Sequence, residues 1–262
     1  MLVDADEEAM NTPKALTVYS RIAQVKLNTL VVKYSWLDLR RFFEPGDHSD
    51  DEQHGIIMKE GYYSDPLAEM LYEGLRTLPK NDPESDQPDI DLNASLSVLL
   101  EPDLKPFKPN AWIAFDIRSK TRVVGCLTSC NFVADVSFQT HKLTPSYCKR
   151  SKLPTFDEDW LLLDVISSAK QGSGTLLVLA AYLHAARMKK QGLVTIAVTE
   201  GGKTLFQALG FESHRDEVYY IPLSALTLAA VHAKLRTENA ILSTCFRHGL
   251  SPSTAANVIG RC

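Results

Sequence analysis

The most constraining feature of this chain is a pair of glycines between an apolar strand and a long apolar helix. The sequence WLLLDVISS, residues 160–168, is followed by AKQGSG and then by TLLVLAAYLHAARMKKQG. Gly172 and Gly174 therefore fall at the start of a helix, where the first backbone N–H groups have no intrahelical partner and the helix dipole contributes roughly half a positive charge. Glycine also allows a ligand to approach the backbone closely. The pattern predicts a turn that binds a diphosphate.

Alternating apolar and turn-forming segments predict an α/β (α+β) fold for the chain. An amphipathic segment at 36–43 predicts a short helix, and Asp65 followed by Pro66 predicts the N-terminus of a helix that ends near residue 78. We expect one mixed, twisted sheet flanked by helices. Its strands are predicted within 15–32 and at 111–117, 122–130, 160–167, 193–198 and 217–222, and its longest helix at 175–190.

Long polar segments interrupt these elements at 44–55, 79–94 and 138–157, and we expect them to be irregular loops. One domain is predicted over 1–222. Its core motifs lie in 111–222, and the segment 15–110 contributes the first strand and helices.

A C-terminal extension, 223–262, follows this domain, and a helix is predicted at 223–247. Apolar residues recur in it at spacings of three, four and seven, at Leu228, Val231, Leu235 and Leu242. This apolar seam must be buried. It packs either on the domain's own flank or on a second copy of the chain or another partner protein.

Composition excludes several classes of partner. The net charge of −4 gives no basic surface for nucleic acid or an anionic membrane, and the acidic N-terminus has no apolar signal segment. No apolar run approaches the ~20 residues of a membrane span. Five irregularly spaced cysteines indicate free thiols in a reducing compartment, cytoplasmic or nuclear.

A metal site is not expected at Cys126 and Cys130. The two residues lie in a β-branched, apolar segment that predicts a strand, in which four residues span ~13 Å. Two thiolates on one zinc ion must lie within ~4 Å of each other. We therefore predict buried cysteines and no metal.

Two other nucleotide sites compete for the glycines. A dinucleotide fold would need a third glycine where Leu177 stands. The sequence AVTEGGKT, residues 197–204, is a relaxed match to the phosphate-binding loop of nucleotide hydrolases, with Ala197 in place of the first glycine. The helix after Thr204 is short, and no later apolar strand ends in an aspartate for Mg²⁺. A chance match is the preferred interpretation.

Both glycine clusters fit one family. The loop A-K-Q-G-S-G at 169–174 matches the Q/R-x-x-G-x-G/A loop of the GNAT acyltransferase superfamily at both glycines, with Ala169 in place of Gln or Arg. The segment F-Q-A-L-G-F at 206–211 matches that family's Y-x-x-x-G-F motif at the glycine and the last aromatic residue. Over roughly 112–221 the chain resembles this superfamily of N-acetyltransferases.

The resemblance implies a domain that binds acyl-coenzyme A, with acetyl-CoA as cosubstrate, in a cleft between the fourth and fifth strands. The pyrophosphate is expected at the amides of the glycine loop, the pantetheine at the end of the fourth strand, Lys170 near the phosphates and Phe206 at the coenzyme. The implied cofactor-binding residues are Val165, Ile166, Lys170, Gln171, Gly172, Ser173, Gly174, Thr175 and Phe206.

Acyl transfer to an amine requires a neutral nitrogen. For an amine of pKa ~10.4, deprotonation at pH 7 costs about 4.6 kcal/mol, so a base is useful. Asp164 and Glu158 are the candidate bases, with Glu200 in reserve. By strand alternation, Leu161, Leu163 and Val165 share one face, and Leu162, Asp164 and Ile166 share the other.

The acid that protonates the leaving thiolate is a second expectation. In the family a tyrosine often serves, but Phe206 stands at that position and has no proton to donate. Tyr219 is the candidate substitute, with Tyr220 or water as alternatives. The function predicted is an acyl-CoA-dependent N-acyltransferase acting on an amine of unknown identity. The alternative is a GNAT-fold binding or structural module with weak or lost catalysis.

Overall fold

The computed structural model describes residues 29–46, 56–78, 96, 100, 109–116, 122–131, 144–197, 199–214 and 218–223 of the 262-residue chain. The strands are β1 (Thr29–Ser35), β2 (Phe43–Pro45), β3 (Ile56–Met58), β4 (Asn110–Asp116), β5 (Arg122–Asn131), β6 (Trp160–Ser168), β7 (Gly192–Ile196), β8 (Glu212–His214) and β9 (Val218–Pro222). The helices are α1 (Trp36–Phe42), α2 (Pro66–Arg76), α3 (Pro145–Ser151), α4 (Ser173–Arg187) and α5 (Glu200–Ala208), and Glu60–Tyr62 form a 3-10 turn.

Seven strands form one mixed sheet in the order β1-β4-β5-β6-β7-β9-β8, and β2 pairs separately with β3. β6 and β7 run parallel, and the other neighbouring strands are antiparallel. A parallel pair needs a crossover, which α4 supplies. The predicted mixed sheet flanked by helices is confirmed, and from β4 onward the described order is hairpin, short helix, strand, glycine turn, long helix, strand, short helix and a pair of antiparallel strands.

The predicted N-terminus of α2 is confirmed at the level of individual hydrogen bonds. The Asp65 carboxylate accepts from the amides of Leu67 at 2.9 Å and Ala68 at 3.1 Å. Pro66 follows at the first helical position, where a missing N–H costs nothing. Ser35 and Asp38 form a reciprocal capping box on α1.

Helices cover both faces of the sheet. α4 and α5 pack on one face, where Trp112, Leu161, Leu163 and other core residues meet the buried residues of α4. α1 and α2 pack on the opposite face, over Ile113, Phe115 and Val165. A third cluster, which contains Cys148 of α3, covers the start of β6. The sheet is therefore buried on both sides along β4, β5 and β6.

A β-bulge interrupts β6 and reverses its predicted alternation. Leu127 pairs with Ile166, and Ser129 pairs with Leu163, so two residues of β6 oppose Thr128 alone. Beyond the bulge, Val165 packs with the α1 and α2 side, and Ile166 packs with the α4 side. The prediction that Val165 shares a face with Leu163 was wrong, because the extra residue shifts the period of two by one.

Two segments expected to be irregular contain regular structure. α3 lies inside the polar segment 138–157, with Thr144 as its N-cap and Pro145 at its first position. The Thr144 hydroxyl accepts from the Tyr147 amide at 3.3 Å. Glu44 and Pro45, the first two residues of the predicted loop 44–55, belong to β2, which pairs with β3.

The predicted helix 223–247 lies outside the described residues except for Leu223. The N–H of Leu223 donates to the carbonyl of Gln191 at 2.9 Å, and its side chain packs against the core on the α4 side. The part of the first predicted strand before Thr29 also lies outside them. None of the described helices is both long enough and apolar enough to cross a bilayer.

Candidate functional site

β6 and β7 separate partway along their length. Within the described residues, their ladder runs from Trp160 opposite Gly192 to Leu163 opposite Thr195, whereas β6 continues to Ser168. On its other side this end of β6 stays paired to β5, up to Ser168 opposite Gly125. The ladder between β6 and β7 therefore ends after Leu163, and the carboxyl ends of these two parallel strands are where the sequence predicts the cleft. In the sequence-based prediction, Val165 and Ile166 face the pantetheine at this edge.

The bulge lies where the two strands part, and its centre is polar. The Thr128 hydroxyl accepts from the Val165 amide at 3.0 Å and donates to Asp164 Oδ2 at 3.3 Å. Asp164 is half-buried. Burial of the Cys130 thiol, and secondarily the nearby charge of Asp164, raises the pKa of that thiol far above its usual range. Asp164 is thus a carboxylate that accepts a hydrogen bond from β5 and directly follows the last residue of β6 that pairs with β7.

The glycine turn follows directly at the end of β6. Gly172 is the N-cap of α4 and has φ 87°, in the left-handed region that glycine adopts without steric cost. Ser173 is 1% exposed. Its hydroxyl oxygen lies 2.7 Å from the Lys170 carbonyl, 3.1 Å from the Val124 carbonyl and 2.5 Å from the Ser168 hydroxyl. Hydrogen bonds within the chain therefore hold the turn against β5.

The amides predicted to hold a pyrophosphate differ in their surroundings. The Ser173 amide donates to the Lys170 carbonyl at 3.0 Å, so it is already bonded in this structure. Gln171 is exposed, and Gly172 is half-buried, whereas Gly174 and Thr175 are buried. A Cβ on Gly174 would lie 3.4 Å from Leu205 Cδ2 and 3.6 Å from Ser168 Cβ. A single methyl group at Gly174 would therefore make ordinary contacts with α5 and with the end of β6.

Lys170 lies in the turn as expected, and it forms an ion pair. Its Nζ is 2.8 Å from Asp116 Oδ2, with side-chain exposures of 26% and 13%. Asp116 is the last residue of β4. This contact ties the turn to a second strand of the sheet and leaves a carboxylate next to the expected phosphates.

Phe206 and Tyr219 lie together on the α4 side of the sheet. Their ring centroids are 6.1 Å apart, and Tyr219 is 5% exposed. Gln207 Nε2 lies 3.5 Å from the Tyr219 hydroxyl. Tyr220 lies on the opposite face, where it donates to Glu212 at 2.7 Å, and burial and this bond raise its pKa to about 12. Tyr219 is therefore the tyrosine next to the Phe206 position.

The other candidate carboxylates lie away from the bulge. Glu158 is exposed in the turn before β6, and the nine-residue strand separates it from the glycine turn by ~30 Å. Glu200 begins α5, has an 88% exposed side chain and pairs with Lys203 at 3.0 Å. Asp164 is thus the candidate base that the fold brings to the predicted cleft.

The segment 197–204 does not form a phosphate-binding loop. Thr199 caps α5 by accepting from the Gly202 amide at 3.1 Å, and Glu200 and Gly201 already belong to the helix. A phosphate-binding loop would need these residues in a loop before the helix. The sheet is also mixed, so the nucleotide hydrolase interpretation is wrong.

No group of three or more His, Cys, Asp or Glu residues that could hold a metal ion occurs in the described part of the chain. Cys126, Cys130 and Cys148 are buried and form no disulfide within the described part of the chain. Cys126 packs beneath α1 and α2, and Cys130 packs with Cys148 in the third cluster.

Sequence-based reasoning missed Thr128, Asp116 and the hydroxyl network of Ser173. The glycine pattern points to the backbone amides of the turn and not to the Ser173 hydroxyl, although a serine after a glycine turn can donate its hydroxyl to a nearby carbonyl. Thr128 lies in an apolar strand segment, VVGCLTSC, where a buried hydroxyl is a signal for a specific partner.

Neither a comparison with protein-family models nor one with curated proteins gives a match. Among solved structures, the chain is similar to a Tyr-to-Phe mutant of the AtaT toxin, at 20% identity and TM-score 0.37, over 56% of this chain and 82% of that chain. It is also similar to AtaTR bound with AcCoA, at 17% identity and TM-score 0.36, over 61% and 88%. A Tyr-to-Phe mutant of KacT matches at 18% identity and TM-score 0.33, over 61% and 91%. At these identities and TM-scores, no substrate or partner is transferred to this chain.

Proposed function

We propose that this chain is an acyl-CoA-dependent N-acyltransferase that uses acetyl-CoA and an amine acceptor. One observation carries the proposal: a glycine turn at the N-terminus of α4 directly follows the part of β6 that lies beyond its ladder with β7. The turn offers amides and a helix dipole to phosphates, and the strand edge offers backbone groups to an extended chain that carries amides. Coenzyme A contains both parts, a pyrophosphate and a pantetheine with two amides.

The proposed reaction forms one bond and breaks one. The amine nitrogen attacks the thioester carbonyl, the C–N bond forms, and the C–S bond breaks to release the coenzyme A thiolate. Asp164 accepts the proton that the nitrogen loses, directly or through water. The thiolate takes up a proton from Tyr219 or from water, and solvent returns Tyr219 and Asp164 to their starting states. The products are an amide and coenzyme A.

Coenzyme binding is tested by calorimetric titration with acetyl-CoA, coenzyme A and, as a competitor of another class, ATP. We expect acetyl-CoA and coenzyme A to bind and Gly174→Val to weaken binding, because its branched methyls displace Leu205 or Ser168 and shift the turn. Gly174→Ala is the matched control, since its Cβ makes ordinary contacts. ATP binding that is lost in Gly201→Val would instead support a site on α5.

Transfer is tested with labelled acetyl-CoA and a panel of primary amines that includes polyamines and lysine-rich peptides. Acidic loops would attract a cationic acceptor, although such loops are commonly just solvated. Recovery of the acetyl label in an amide product would support the N-acyltransferase function. The thiols of Cys126, Cys130 and Cys148 form no disulfide within the described part of the chain and suit a reducing compartment, so we infer the cytoplasm or nucleus.

The second candidate function is a GNAT-fold binding module with weak or lost chemistry. The observation that favours it is Phe206, which is buried against Phe211 and Tyr219 and offers no proton at the usual acid position. Tight binding of acetyl-CoA without label transfer to any amine, together with a stable partner recovered through 223–262, would select this function. The domain over 1–222 and the extension after it remain part of both proposals.

A further inference from the structure

Thr128 is the residue of β5 that faces the bulge. It is fully buried, at 0% exposure, between the pairs Leu127–Ile166 and Ser129–Leu163. A buried hydroxyl is expected to have a hydrogen-bond partner, because desolvating it without one costs free energy. Its position opposite two residues of β6 determines which partners it has.

The Thr128 hydroxyl joins the backbone of the bulge to the Asp164 side chain. Its oxygen accepts from the Val165 amide at 3.0 Å, so the hydroxyl proton is available to an acceptor. The acceptors in range include Asp164 Oδ2 at 3.3 Å and the Val165 carbonyl at 3.5 Å. The shorter contact is to a carboxylate, which is also the stronger acceptor.

We propose that Thr128 is the positioning residue of the site, holding the Asp164 carboxylate at the mouth of the predicted cleft. This inference rests on the proposed function, in which Asp164 is the base. A bulge disrupts the ladder locally and re-aims a side chain into an orientation that a regular strand would not give it. The bond from Thr128 supplies that orientation, and the bond from Val165 holds the donor in place.

Two substitutions separate positioning from packing. Thr128→Val keeps nearly the same shape but removes both hydrogen bonds, whereas Thr128→Ser keeps the hydroxyl and removes a methyl group. With thiol release from acetyl-CoA and the amine panel as the assay, we expect turnover to fall ~10-fold in Thr128→Val. Thr128→Ser should stay within about twofold of the wild type, although its melting temperature falls.

A double-mutant cycle tests whether Thr128 acts through Asp164. If it does, Thr128→Val should cost no further turnover once Asp164→Asn has removed the base. A second ~10-fold loss on the Asp164→Asn background would show that the two side chains act independently and would overturn the proposal. Unchanged turnover in Asp164→Asn alone would show that Asp164 is not the base. Thr128 would then have no base to position, and the proposal would be overturned.

A second readout does not depend on activity. In protein labelled with ¹³C-aspartate, the carboxyl resonance missing from Asp164→Asn belongs to Asp164. Its titration midpoint should rise by roughly one pH unit in Thr128→Val, because the carboxylate loses a donor. Cys130, which senses the charge of Asp164, stays a neutral thiol through this titration.

The two readouts separate the two possible failures. An unchanged midpoint in Thr128→Val overturns the positioning role, whatever the activity. A shifted midpoint in a protein that turns over no amine supports the positioning role and overturns the proposed function.

Discussion

Replacing Gly172 with alanine tests the glycine turn most directly. Gly172 has φ 87° and ψ −15° and serves as the N-cap of α4. An L-residue in the left-handed region pays roughly 1–2 kcal/mol, because its Cβ approaches the following carbonyl. The same substitution also restricts the unfolded chain, which stabilises a protein by ~0.4–1 kcal/mol where the backbone fits. A control for this second effect is therefore needed.

Gly201→Ala provides that control within the same chain. Gly201 lies in α5 and is exposed. Apart from its chain neighbours and the backbone of its own helix, no heavy atom lies within 4 Å of the position of an added Cβ. Both variants share the unfolded-state effect, so the difference between them isolates the left-handed strain of about 1–2 kcal/mol. At ~2–4 °C per kcal/mol for a chain of this size, Gly172→Ala should melt ~2–8 °C below Gly201→Ala.

Thermal unfolding followed by circular dichroism measures this difference, and calorimetry with acetyl-CoA measures its effect on the site. Relaxation of the turn moves the Gly172 carbonyl, which accepts from the Leu176 amide at 3.2 Å, and so alters the start of α4. We expect weaker coenzyme binding in Gly172→Ala and unchanged binding in Gly201→Ala. Equal melting temperatures for the two variants would refute the assigned strain.

Three further predictions concern other parts of the fold. Asp164→Asn should lower transfer most at low pH, where amines are least often neutral, with coenzyme affinity unchanged; a lower melting temperature with intact activity would indicate a structural role instead. Gly192→Ala should destabilise by about 1–3 kcal/mol in urea unfolding, since its Cβ would overlap the Trp160 ring, while Gly61→Ala, in open space, should not. Burial and nearby cations lower the pKa of His184 in the folded protein to about 4. Between pH 6.5 and about 4 the unfolded state therefore binds a proton that the folded state does not, so the free energy of unfolding should fall as the pH drops through this range. His184→Gln should lose this pH dependence.

Local signals in the sequence predicted the elements that local chemistry determines. Asp65 and Pro66 mark the start of α2 in the prediction and in the structure, because a side-chain acceptor and a missing N–H act within one helical turn. The glycine turn was predicted for the same reason. The sequence Thr144-Pro145 carries the same signal for α3, but the polar character of the surrounding segment favoured a loop.

The bulge could not be predicted from β6 alone. Alternation along β6 assumes one partner per residue, and the count of two against one depends on the register with β5. Asp164 was therefore identified as a candidate while its partner Thr128 was not. Which residues meet across strands is a property of the pairing, and a single strand's sequence does not contain it.

The hydrogen bonds of the glycine turn also bear on the kinetics of ligand association. Ser173, Ser168 and Lys170 fix the turn to Val124 and Asp116 by bonds that are present without any ligand. Ordering a backbone residue costs ~1–2 kcal/mol, and here folding of the sheet has already met that cost. Association should therefore fit a single exponential phase with a rate proportional to coenzyme concentration, without a slow loop-closing step. Hydrogen exchange of the Ser173 amide, which donates to the Lys170 carbonyl, should be slow in the free protein as well.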